Sequence, residues 1–122
     1  MLLTLTVTLA AGLGAVCRYV LDQVVQHRTA GEFPYGTFLI NISGSLLLGL
    51  VLGLSAHHGL ATQTTLVIGA GFAGGFTTLS TWAWESLALA ETGELPAAAL
   101  NVVGSFAAGL LAAAAGFGLA LL

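Results

Sequence analysis

Gly69-Ala70-Gly71-Phe72-Ala73-Gly74-Gly75-Phe76-Thr77-Thr78-Leu79-Ser80-Thr81-Trp82 is the stretch on which the fold turns. Four glycines followed by four hydroxyl residues sit in the middle of a long apolar segment. Glycine weakens a helix by about 1 kcal/mol relative to alanine, and hydroxyl side chains compete for the main-chain hydrogen bonds. A local interruption is therefore expected over residues 74–78. An unsatisfied amide in hydrocarbon costs several kcal/mol, so irregular backbone at that depth survives only when it is buried in protein or lines a site for water or ions. An ion site is the working expectation.

Composition sets the frame for that stretch. Of 122 residues, 57% are hydrophobic and only 6% are charged, whereas a soluble domain carries roughly 25% charged residues to cover its surface. A bilayer core needs about 20 apolar residues at about 1.5 Å each. Four segments qualify, at about 2–25, 35–55, 63–90 and 96–122. The expected fold is a single all-α domain of four transmembrane helices spanning 1–122, with short polar joints around residues 27–34, 56–59 and 91–96. Pro34 and Pro96 mark the entries of helices two and four. The first residues, Met1-Leu2-Leu3-Thr4-Leu5, carry no basic leader, so helix one is expected to remain in the protein. With no lysine and only Arg18 and Arg28, nucleic-acid binding is excluded as a function class. The lone Cys17, in an apolar helix, reads as a packing residue and leaves no internal disulfide.

Helix one places Gly12 and Gly14 before Arg18, with Asp22 one turn later as a candidate partner for the guanidinium. An arginine inside a span costs about 2.5–3.5 kcal/mol on insertion scales and is seldom idle. Its alternatives are a snorkelling interfacial group and a buried structural or vestibule cation. Helix two carries Asn41, Ser45, Gly49 and Gly53 on one stripe, and helix four carries Asn101, Ser105 and Gly109 at the same spacing. Both follow N-x-x-G-S-x-x-x-G, at 41–49 and 101–109, and both helices enter from the same side, so the repeat is parallel and not inverted. Small residues permit close helix approach and Asn or Ser can bond across it; donors lining a pore are the other reading. Glu85 is either a carboxylate near the headgroups or a proton or cation site. His27, His57 and His58 are expected in solvent. The match of residues 69–74 to G-x-G-x-x-G has no strand before it and is not a nucleotide site.

Taken in order, Gly12-Leu13-Gly14-Ala15-Val16-Cys17-Arg18-Tyr19, Pro34-Tyr35-Gly36-Thr37 through Asn41-Ile42-Ser43-Gly44-Ser45, and residues 71–82 resemble the CrcB/Fluc fluoride channels. The resemblance runs through all four helices. It implies a dual-topology dimer of two antiparallel four-helix subunits, two narrow fluoride pores and a sodium ion on the dimer axis. The sodium carbonyls map to Gly74 and Thr77, the pore amide to Asn41, the hydroxyl track to Ser80 and Thr81, and the helix-four stripe to Asn101 and Ser105. Arg18 maps to the family arginine near the end of helix one. The family usually reads T-T-F-S-T-F, and this chain has Leu79 and Trp82 at the two phenylalanine places. Leucine offers no positive ring edge, whereas tryptophan keeps one and adds an N–H donor.

Such a channel is expected in the inner or plasma membrane, surrounded by lipid, and is not an enzyme. Fluoride is small and strongly hydrated, so a selective pore must replace its water with firm donors without binding too tightly for exit. Two rivals stand beside this reading. One is a small four-helix exporter of drugs or guanidinium, which needs a membrane-embedded carboxylate; the other is a structural subunit of a heterodimeric fluoride channel, favoured by Leu79.

Overall fold

The computed structural model describes all of residues 1–122 and is helical throughout. Helix α1 is Leu2–Gln26 and α2 is Tyr35–His58. The third segment, Thr62–Glu91, consists of α3a (62–76) and α3b (Leu79–Glu91), and α4 is Leu95–Leu119. These four segments are long and apolar enough to cross a membrane. The second helix runs past the expected end at 55 and takes in His57 and His58. It stops at Gly59, whose φ of 66° lies in the left-handed region that glycine enters without strain. The fourth helix stops at Leu119, short of the expected 122.

Two parallel helix pairs make the core. Helix α1 lies on α3a, where a Cβ on Gly14 would collide with the main chain of Phe72 and Phe76, and one on Gly75 with that of Ala11. Helix α2 lies along α4, where a Cβ on Gly49 would strike the Ala113 main chain and one on Gly116 that of Leu46. Residue 49 faces 113 and residue 53 faces 117, so α2 and α4 run in the same direction. With backbones this close, dispersion contacts replace the hydrophobic effect that lipid cannot supply.

Gly71 and Gly75 of the organising stretch are therefore contact residues toward α1, and the conformational change falls after them. Gly74 is helical, with φ −63° and ψ −39°. Thr77 (φ −77°, ψ 161°) and Thr78 (φ −147°, ψ 121°) are extended, a conformation that β-branched side chains accept readily. Residues Leu66–Ala73 of α3a and Leu100–Gly104 of α4 are π-helical, a local widening that sequence periodicity did not signal.

Only 19 of 122 residues are buried, and side chains such as Leu79, Phe106 and Leu111 are 76%, 67% and 72% exposed. So small a core leaves most of the apolar surface to be covered by lipid or by another chain.

Candidate ion pathway

The two extended threonines carry the chemistry of the site. The Thr77 N–H keeps its helical bond to the Ala73 carbonyl at 3.0 Å, whereas the Thr77 carbonyl and both main-chain groups of Thr78 are met by side chains from other helices. Asn41 on α2 takes up both groups of Thr78: the Thr78 N–H donates to Asn41 Oδ1 at 2.9 Å, and Asn41 Nδ2 donates to the Thr78 carbonyl at 3.0 Å. Arg18 on α1 donates from Nη1 to the Thr77 carbonyl at 3.2 Å. The Thr77 hydroxyl donates to the Ala73 carbonyl at 2.9 Å. Thr78 also starts α3b, its hydroxyl oxygen accepting the Thr81 N–H at 3.2 Å as an N-cap. The unpaired backbone that hydrocarbon forbids is thus satisfied by side chains from two other helices.

Arg18 does not pair with Asp22, the partner that sequence spacing suggested. Its Nη1 reaches Thr77, and Asp22 Oδ2 instead accepts from Gln26 at 3.2 Å. The main-chain acceptor is closer to the guanidinium than a carboxylate one turn further along the same helix.

A cleft of about 770 Å³ opens between α2, α3a and α4 beside the extended pair. It brings together Asn41, Gly74, Thr77, Leu79, Trp82 and Ser105. Ser80 and Thr81 are exposed and lie outside its wall. Asn101 is also outside it and is 0% exposed. Its Nδ2 donates to Ser86 Oγ at 2.9 Å, and its Oδ1 accepts from Ser105 Oγ at 3.2 Å. The Trp82 indole N–H, which sequence reading offered as a donor to a passing anion, donates to the Asn101 carbonyl at 2.9 Å.

Sequence reading missed three participants. Thr78 supplies the helix cap, and Ser86 joins α3b to α4. Thr37 is buried and donates to Glu85 Oε1 at 2.8 Å. Glu85 thereby bonds across to α2, and its Oε2 is buried without a partner, as is Asp22 Oδ1. The legible signals were Thr37 within Pro34-Tyr35-Gly36-Thr37 and Ser86 one helical turn after Trp82. His58 is exposed as expected, yet its Nε2 lies 2.6 Å from the Ala120 carbonyl and so ties α2 to the end of the chain.

These features define a class: a small multi-pass membrane protein of four spanning helices, in which two extended residues of the third are held by polar side chains beside an open cleft. The family model for CrcB-like, camphor-resistance proteins matches residues 5–117. Leifsonia xyli has a relative named fluoride-specific ion channel FluC 1 that is 46% identical over 118 residues, covering 97% of this chain and 85% of the relative. Streptomyces avermitilis has one of the same name at 46% identity over 112 residues, covering 92% and 90%. A Mycobacterium tuberculosis relative named fluoride-specific ion channel FluC 2 is 42% identical over 110 residues, covering 90% and 84%. The chain belongs to the CrcB family.

Proposed function

We propose that this protein is a fluoride-selective channel of the plasma membrane, working as an antiparallel dual-topology homodimer and letting cytoplasmic fluoride leave passively. The observation that carries the reading is the Asn41–Thr78 clamp, which keeps two residues of a spanning helix extended at the edge of an open, largely apolar cleft. A second copy covering that cleft would leave a narrow, dry path edged by the second amide hydrogen of Asn41, with the Ser105 proton committed to Asn101. Ser80 and Thr81, exposed in one subunit, would line the path from the opposite face. The names of the relatives support fluoride as the ion.

A sodium ion at the dimer axis fits the donors present. The Thr78 N–H donates to Asn41 and not to Gly74 four residues earlier, so the Gly74 carbonyl has lost its regular helical partner. The Thr77 carbonyl accepts Arg18 and retains a second lone pair. Neutral carbonyl oxygens suit a small, hard cation. Bound there, sodium would supply fixed positive charge to the interior without a titratable group.

Efflux from proteoliposomes, followed with a fluoride-selective electrode, tests the reading; rapid fluoride release with no comparable chloride release is expected. Leu79→Phe should speed that release up to about five-fold, since an aromatic-edge contact is worth about 1 kcal/mol. A heterodimer is the second reading, favoured by the aliphatic Leu79 in the cleft wall. Under it the parent alone is silent and transport needs a different subunit. Arg18 and Arg28 supply little positive-inside bias, so reporters fused to the C-terminus should appear on both sides of the membrane; one orientation only would remove the homodimer.

A further inference from the structure

We infer that Trp82 and Ser86 are positioning residues of the pathway, which hold the indole as a fixed ring at the cleft wall with its N–H withheld from the permeating ion. The inference rests on the fluoride-channel reading and adds to it which atoms of Trp82 can meet the ion. Indole has a single donor and no acceptor. That donor is committed to the Asn101 carbonyl at 2.9 Å, away from the cleft that the ring lines.

Four bonds make the arrangement directional. Ser105 Oγ donates to Asn101 Oδ1 at 3.2 Å, and Asn101 Nδ2 donates to Ser86 Oγ at 2.9 Å. Ser86 Oγ donates to the Trp82 carbonyl at 2.8 Å, and Trp82 Nε1 returns the chain to the Asn101 carbonyl. Trp82 and Ser86 are one turn apart on α3b, and Asn101 and Ser105 are one turn apart on α4, so each pair shares a helix face. The single Ser86 proton is used on Trp82, which leaves its oxygen lone pairs for the Asn101 amide. Asn101 is 0% exposed and Ser105 8% exposed, so water does not compete. The Trp82 ring itself is only half-buried, and its neighbour Leu79 is 76% exposed and cannot wedge it in place. Hydrogen bonding, more than packing, fixes the angle that the ring presents to the cleft.

The test uses the purified, reconstituted dimer in a Trp84→Phe background, which leaves Trp82 as the sole indole. Trp82→Phe keeps a smaller aromatic ring and removes the latch, and Ser86→Ala removes the hub without touching the ring. Each should lower the fluoride-over-chloride flux ratio about five-fold, the equilibrium equivalent of one net hydrogen bond. The double variant should be no worse than either single one, because both act through Asn101. Ser86→Thr, which restores the hydroxyl, should restore the ratio. The N–H-sensitive Raman band of the indole should report a strong hydrogen bond in the parent and shift in Ser86→Ala. A fall in the ratio for Trp82→Phe with none for Ser86→Ala would show that Ser86 does not hold the ring and overturn the inference. Lower thermal stability with an unchanged ratio in both variants would make the network structural only and also overturn it. If the parent carries no fluoride, the channel reading fails by itself; the Raman band then still decides the latch, which a band unchanged by Ser86→Ala overturns and a shifted band upholds.

Discussion

Asn41 and Asn101 occupy the same place in two copies of N-x-x-G-S-x-x-x-G, on helices that lie side by side and point the same way, and they do different work. Asn41 spends its carboxamide on main-chain groups, holding the N–H and carbonyl of Thr78 while it edges the cleft. Asn101 spends its carboxamide on two serines and its own carbonyl on an indole, and it is sealed from solvent. The difference comes from the neighbour. Helix α2 faces the extended threonines, which have orphaned groups to satisfy, whereas α4 faces α3b, whose main chain is already paired. A polar stripe of this kind specifies a face that can bond across helices; the partner it meets sets its role.

The sharpest way to break that contrast is to remove the donor at each asparagine. Asn41→Asp keeps the acceptor for the Thr78 N–H, sets a carboxylate against the Thr78 carbonyl and places negative charge at the cleft edge. Fluoride efflux should fall about a hundred-fold or more, the equivalent of losing about 3 kcal/mol, while cross-linking still shows a dimer. Efflux at the parent rate would make Asn41 a packing residue. Asn101→Leu should act the other way round. Two side-chain bonds within a membrane, each worth about 0.6–1.7 kcal/mol, are lost. The thermal or denaturant midpoint should then drop by the equivalent of about 1–3 kcal/mol, with efflux reduced less than in Asn41→Asp. If Asn101→Leu silences efflux and leaves stability untouched, the two asparagines are equivalent pore donors and the contrast fails.

The glycines of the two copies offer a smaller version of the same comparison. Gly49→Ala drives a methyl into the Ala113 main chain, and overpacking of this sort costs about 1–3 kcal/mol. At the matching place in α4, a Cβ on Gly109 would meet only Ser45 Oγ at 3.5 Å, an ordinary contact. Gly109→Ala should therefore change the midpoint by less than about 0.5 kcal/mol, the usual range for a substitution without a steric mechanism. Equal losses at the two positions would show that both helices approach a second surface equally closely, which the single subunit does not do.

Four spans, their short joints and the region of polar backbone beside residues 74–78 were all legible without coordinates. Hydropathy over about 20 residues and the low charge content are properties of the chain alone, and so is the sequence likeness that relates it to the CrcB family. The parallel relation of helices two and four also followed from counting spans. What could not be read was the partner of each polar side chain. Spacing along one helix made Asp22 the natural mate of Arg18, but the Thr77 carbonyl comes from 59 residues away in sequence. The interruption expected over residues 74–78 narrows to Thr77 and Thr78, which carry the extended backbone, whereas Gly74 stays helical and Gly71 and Gly75 allow close approach to α1. The sequence placed Ser86 one helical turn after Trp82 but did not show its bond to Asn101, since a hydroxyl in a helix reads the same whether or not it also bonds a neighbour. Periodicity records which face a residue occupies, a local quantity; hydrogen-bond partners are set by which helices lie within about 3 Å of that face, and only the packed chain decides that.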